Sequence, residues 1–203
     1  SGERAGAAIV AHPGIPLISF TGSTETGRIV GEICGRMHKR VSLEMGGKNA
    51  QIVLDDADLN LALDGVLWGA FGTTGQRCTA TSRLILQEGV HDEFVRMLVE
   101  RIQRLRLGNG LEEGVEVGPL INEAALRKVE SYVAIGQSEG ASLVSGGTRA
   151  MGTGLEHGYF FLPTVFTGVR PGSRLEQEEI FGPVLAVIEV ASADEAFAIN
   201  NDV

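Results

Sequence analysis

The chain has 203 residues, enough for one large domain or for one domain and part of another. A hydrophobic share of 43% supports a real core and excludes wholesale disorder. The net charge of −9 and the lack of a Lys/Arg-rich run make nucleic acid a poor partner, and no apolar stretch approaches the ~20 residues that span a bilayer.

In chain order, the start carries no charged-then-apolar signal pattern, and Ser1-Gly2 reads as a cut end. Leu17 to Phe20 reads as a short buried strand. Thr24 to Met37 reads as a helix with Ile29, Val30, Ile33 and Met37 on its apolar face. Val41, Leu43 and Met45 alternate as in a half-buried strand, and Gln51 to Leu54 is the next strand. Leu59 to Ala70 is apolar enough for a largely buried helix, with Trp68 in its core. Arg83 to Leu86 is a strand. The strongest helix follows, with Phe94, Val95, Leu98, Val99, Ile102 and Leu105 on one face.

Gly108 to Gly118 reads as a surface loop, and Asn122 as the cap of a helix through about Glu139. Leu143 to Ser145 is a strand, Gly146 to Gly158 a loop, and Phe160 to Phe166 and Val184 to Val190 are strands. Ser192 to Glu195 is a capping box that opens a last helix. Alternating strands and helices argue for an α/β fold with a mainly parallel sheet flanked by helices. The first strand has no preceding partner and the end falls in a helix, so the chain reads as a piece of a larger protein.

Four segments carry chemistry. In FTGSTETG (Phe20 to Gly27) a strand enters a Gly/Ser turn and a helix start, where free N–H groups and the positive dipole end suit a phosphate. Gly22 permits close backbone approach and Ser23 offers a hydroxyl; the plainer reading is an ordinary capped βα turn. In LEMGGKN (Leu43 to Asn49) Glu44 ends an apolar strand, where scarce water can raise a carboxylate's pKa and make it a base. The plainer reading is a structural Glu paired with Lys48, or a solvated turn residue. In GQRCT (Gly75 to Thr79) Cys78 sits among small polar residues beside Arg77, a setting that suits a thiolate nucleophile; an inert buried cysteine is the alternative. In EEIFGP (Glu178 to Pro183) an acidic residue could take ribose hydroxyls and Phe181 could bear on a flat ligand; otherwise this is an acidic turn with Phe181 in the core.

Cys34, inside a helix with apolar neighbours, reads as packing. Two cysteines make no disulfide framework, which points to a reduced, intracellular (cytoplasmic) protein. His12, His38, His91 and His157 lack metal-ligand spacing, so no metal site is expected.

Together, in this order and spacing, the four segments resemble the aldehyde dehydrogenase superfamily, from about Leu17 onward, with Met45 where the family commonly has Leu. The stretch GTTGQRCTATSRL is most similar to branches that oxidise semialdehydes. The resemblance implies oxidation of an aldehyde to a carboxylic acid with NAD or NADP. Cys78 would form a thiohemiacetal and then a thioester, and Glu44 would activate water for hydrolysis. The backbone N–H of Cys78 would be an oxyanion donor. Gly22 and Ser23 would lie near the pyrophosphate, Met45 at the cofactor, Glu179 near the nicotinamide-side ribose and Phe181 near the nicotinamide.

Family enzymes are more than twice as long. Residues 1–44 would then be the tail of a Rossmann-like cofactor domain and residues 45–203 most of the catalytic domain. The parent would be a homodimer or homotetramer, and the isolated stretch would turn over little or nothing. Two rivals stand beside this reading. A CoA-acylating dehydrogenase would generally lack the base, so Glu44 argues against it. A non-catalytic scaffold piece would have no need of Cys78 and Glu44.

Overall fold

The computed structural model describes residues 2–203, which fall into two compact units, one ending at Gly47 and one spanning Lys48–Val203. The sequence-based boundary was placed after Glu44.

The first unit opens with a wide helical turn, Gly2–Gly6, that runs into α1 (Ala7–Ala11). A βαβ unit follows: β1 (Leu17–Thr21), α2 (Thr24–Arg36) and β2 (Arg40–Glu44), with the strands parallel and Thr21 paired to Glu44. Ser23 caps α2 by accepting the Thr26 N–H. The helix turns Gly27, Val30 and Cys34 inward, three and four residues apart, onto Ile18. The expected face was different: Ile29 is 54% exposed and Met37 is also exposed. The physical reason is size. Gly27 and the small Cys34 let the helix sit close, and a Cβ on Gly27 would lie 2.4 Å from the Met45 sulfur. Met45 itself lies just past the end of β2. Cys34 is fully buried, as a packing residue should be.

In the second unit five strands run in the order β3-β4-β7-β6-β5. They are β3 (Asn49–Val53), β4 (Thr81–Gln87), β5 (Ser142–Ser145), β6 (Thr164–Thr167) and β7 (Val184–Val190). All neighbours pair in parallel except β5 with β6. The sheet is therefore mainly parallel and the class α/β, as the alternating pattern predicts. Helices cover both faces: α3 (Leu59–Phe71) and α4 (Glu88–Ile102) on one, α5 (Glu123–Ser138) and α7 (Ala193–Asn200) on the other. Strand β7 shows why a two-sided strand reads as a continuous apolar run. Leu185 and Val187 enter the α3/α4 core, while Ala186, Ile188 and Val190 enter the α5/α7 core.

Two expectations are corrected, and one element is added. The strand foreseen from Phe160 begins only at Thr164, because Pro163 has no N–H to give a ladder; Phe161 makes just an isolated bridge to Arg149. Trp68 is not core but 68% exposed, since α3 buries the faces carrying Leu63, Val66, Leu67 and Phe71. A short helix, α6 (Arg174–Gln177), went unforeseen. Its first N–H groups, on Arg174 and Leu175, are capped by the Glu139 carboxylate from the far end of α5, which no local pattern announces. Among the described residues no helix is long and apolar enough to cross a membrane.

Candidate functional site

The reactive-looking cysteine lies on the connection from α3 to β4. This connection is built from a backbone that side chains rarely adopt. Thr73 (φ 53°), Thr74 (φ 59°) and Gly75 (φ 67°) follow one another in the left-handed region. Side chains hold them there. The Thr74 hydroxyl donates to the Gly118 carbonyl, and Gln76 both donates to the Pro119 carbonyl and accepts the Ile121 N–H. Beyond that tie, Cys78 is exposed with a free thiol. The Asn49 side chain at the start of β3 donates to the Cys78 carbonyl at 2.6 Å and to the Ala80 carbonyl at 3.3 Å. The thiol is thus carried on a turn whose backbone is fixed from the neighbouring strand.

Arg77, beside it, is turned to the end of α3. Its guanidinium donates to the Trp68 and Gly69 carbonyls and stacks over the Trp68 ring at 3.9 Å. Its Nε is buried without a partner among the described residues. An open cleft of about 410 Å³ includes Trp68 in its wall, with Phe71, Thr73, Asp64, Arg101 and Glu116.

The acidic-aromatic turn of the same unit is equally constrained. Glu179 is half-buried, Ile180 is buried, and Phe181 takes φ 61° and leaves its ring 40% exposed, so it is not a core residue. Gly75 and Gly182 meet backbone to backbone. A Cβ on Gly75 would lie 2.2 Å from the Gly182 oxygen, and one on Gly182 would lie 2.4 Å from Val129. The nucleophile-like turn and the acidic turn, far apart in sequence, are therefore in direct contact.

Buried charge underlies both turns. Lys48 is 5% exposed, and its ammonium donates to the Glu178 carbonyl at 2.7 Å. Burial, and then the nearby Arg83 guanidinium, bring its pKa down to about 7. Arg83 donates from Nε to the Lys48 carbonyl, pairs with buried Glu176 at 2.7 Å, and also reaches the Ile199 and Asn200 carbonyls. Glu178 is clasped by Arg174 and by the Tyr132 hydroxyl at 2.6 Å. The Arg174 hydrogen bond, followed by that of Tyr132, holds the Glu178 carboxyl below its ordinary range. Burial, with the Glu178 hydrogen bond second, pushes the Tyr132 phenol up to about 12.

The remaining candidates lie in the first unit. Gly22 makes the turn after β1, where a Cβ would strike the Phe20 ring at 2.5 Å, and its N–H donates to the Glu44 carbonyl at 3.0 Å. The phosphate-like turn and the strand end bearing Glu44 are thus joined, with Ser23 already spent on capping α2. The helix start and the close backbone approach at Gly22 fit a phosphate group. The Glu44 side chain is exposed, so the water-poor surroundings expected for it are not found within this chain. Sequence reasoning overlooked Lys48 as a buried cation, Asn49, Arg83 and Glu176. The only signal was a Lys-Asn pair placed directly before an apolar strand.

The model of the aldehyde dehydrogenase family matches residues 1–203. The chain is 46% identical, over 202 residues, to an alpha-ketoglutarate semialdehyde dehydrogenase of Haloferax volcanii, covering 100% of this chain and 42% of that protein. It is 42% identical to a betaine aldehyde dehydrogenase of Bacillus subtilis, covering 99% and 41%. Among solved structures, betaine aldehyde dehydrogenase from Staphylococcus aureus in complex with NAD+ superposes with a TM-score of 0.97 at 38% identity, covering 100% of this chain and 40% of that one. The chain spans about two fifths of the length of the curated relatives it matches.

Proposed function

Since the chain belongs to the aldehyde dehydrogenase family, we propose that it carries the reactive segment of an enzyme that oxidises an aldehyde to a carboxylic acid with NAD or NADP. Cys78 is the nucleophile and Glu44 the general base. Residues 1–44 belong to the cofactor domain and residues 45–203 to the catalytic domain. The observation that carries the reading is the exposed Cys78 thiol on a turn braced by Asn49 and by backbone contact with the acidic turn, inside a family match that runs the whole length.

In this reading the Cys78 sulfur bonds to the aldehyde carbon, and the carbonyl oxygen becomes an oxyanion next to the Cys78 N–H. The bound nicotinamide supplies the acceptor for the hydride that leaves that carbon. What remains on Cys78 is a thioester. Glu44 takes a proton from water, the hydroxide adds to the thioester carbon, and the C–S bond breaks to return the thiolate and release the acid. Glu179 holds ribose hydroxyls, Phe181 and Met45 bear on the cofactor, and Gly22 and Ser23 receive its phosphates.

A carboxylate-bearing semialdehyde is the favoured substrate. Similarity to an alpha-ketoglutarate semialdehyde dehydrogenase supports this choice, and Arg77 covers a Trp68 ring surface of the kind a quaternary ammonium would seek. The enzyme works in a reducing compartment, in keeping with two free cysteines, and as a homodimer or homotetramer. The isolated 203-residue chain turns over little.

The test is the complete enzyme, assayed with both dinucleotides against semialdehydes and betaine aldehyde. Cys78→Ala should reduce NAD(P)H formation by roughly 10⁴-fold or more. Wild-type rates in that variant would end the assignment. Acyl-CoA in place of free acid, on addition of CoA, would move the enzyme to the acylating branch.

A further inference from the structure

Two adjacent residues, Lys48 just before β3 and Asn49 as its first residue, grip two turns that lie far from each other in sequence. Lys48 holds the carbonyl of Glu178, 130 residues away, and Asn49 holds the carbonyl of Cys78, 29 residues away. The two hydrogen bonds leave one dipeptide for different turns. We propose that Lys48 and Asn49 are a pair of positioning residues that set the distance between the nucleophile turn and the turn bearing Glu179 and Phe181.

The burial of Lys48 makes this more than a chance contact. The salt bridges among the described residues give its ammonium no carboxylate partner, yet it stays inside, with its hydrogen bond spent on a main-chain oxygen. A buried amine is costly unless it is bonded, and burial has drawn its pKa far below the ordinary lysine value. Its own carbonyl is fastened by Arg83, whose guanidinium also binds Glu176, two residues before Glu178. The segment from Glu176 to Gly182 is therefore held at its start by Arg83 and Lys48, and at its end by contact with Gly75. Glu179 and Phe181 lie between these ties. On the other side Asn49 takes both the Cys78 and the Ala80 carbonyls, which bracket the residue following the thiol.

The role of the pair rests on the dehydrogenase reading, but its test does not depend on turnover. In the 203-residue chain, Lys48→Met should speed chymotrypsin cleavage after the exposed Phe181 by about tenfold or more, leaving amide exchange of β4 and β7 and the alkylation rate of Cys78 within about twofold. Asn49→Ala should do the reverse, changing the iodoacetamide rate of Cys78 by a comparable factor and leaving cleavage after Phe181 within about twofold. Asn49 is exposed, so this variant keeps the question open to experiment even if Lys48→Met fails to fold. In the complete enzyme, Lys48→Met should raise KM for the dinucleotide with little change in kcat, and Asn49→Ala should lower kcat with little change in KM. Both readings moving together in each variant, or neither moving, would overturn the pairing. A complete wild-type enzyme that forms no NAD(P)H would remove the dehydrogenase reading while leaving the cleavage and alkylation results to decide the clamp.

Discussion

The two units keep their candidate residues in place by different means. In the first, one helix packs on two strands, the buried apolar cluster among the described residues is Ile18, Val30 and Cys34, and the turn at Gly22 is tied to Glu44 by a main-chain bond. In the second, a five-stranded sheet is covered on both faces, and buried charges stitch the turns to the strands. The contrast teaches that apolar packing is enough to make a βαβ unit, but holding loops from distant parts of the chain at fixed spacing takes directional polar bonds. Hydrophobic burial is proportional to area and indifferent to angle. A hydrogen bond weakens steeply when misaligned.

The strongest way to break this contrast is to remove a buried charge. Arg83→Met leaves the buried Glu176 carboxyl without its guanidinium partner, and should cost about 3–5 kcal/mol by urea denaturation. Arg83→Met with Glu176→Leu should recover much of that loss. A cost below about 1 kcal/mol for the single change would show that the apolar core alone holds this unit.

A second handle is pH. Unfolded, Lys48 keeps its proton up to its ordinary 10.5, whereas folded it releases it near 7. Between these values the unfolded chain binds the additional proton, so raising pH through that window favours the folded state. The melting temperature should therefore climb from pH 7 towards 9 in the wild type and climb less in Lys48→Met. Parallel profiles would mean that Lys48 is more hydrated than its burial indicates.

The smallest effects compare like with like across the units. Ser23→Ala removes the cap of α2 and Asn122→Ala that of α5, each a loss of about 1 kcal/mol. The same loss should be felt more in the first unit, whose core is smaller, and hydrogen exchange of α2 should rise more than that of α5. Equal changes would show that the two helices draw on equal reserves.

Much of this architecture could be read from local pattern. The 3.6-residue period of α4 and the apolar run of β7 each contain their own explanation, as does the Asn122 cap. What escaped depends on remote partners. Helix α6 needs Glu139, the exposed place of Trp68 goes with the Arg77 guanidinium stacked on it, and the inward face of α2 follows from what Gly27 allows Met45 to do. Cys78, Glu44 and Glu179 stood out because a thiol beside an arginine, a carboxylate ending an apolar strand and an acidic residue before a Gly-Pro turn each suit a definite chemical role. Lys48 and Asn49 did not, because their partners are 130 and 29 residues away and a lysine before a strand ordinarily faces water.

The meeting of Gly75 with Gly182 has an evolutionary edge. Neither position has space for even one more carbon, so the gap there is a quantity that point mutation cannot adjust by degrees. Variation is freer in the wall of the cleft nearby, as at Arg101, whose side chain is tied, among the described residues, only to the exposed Asp64.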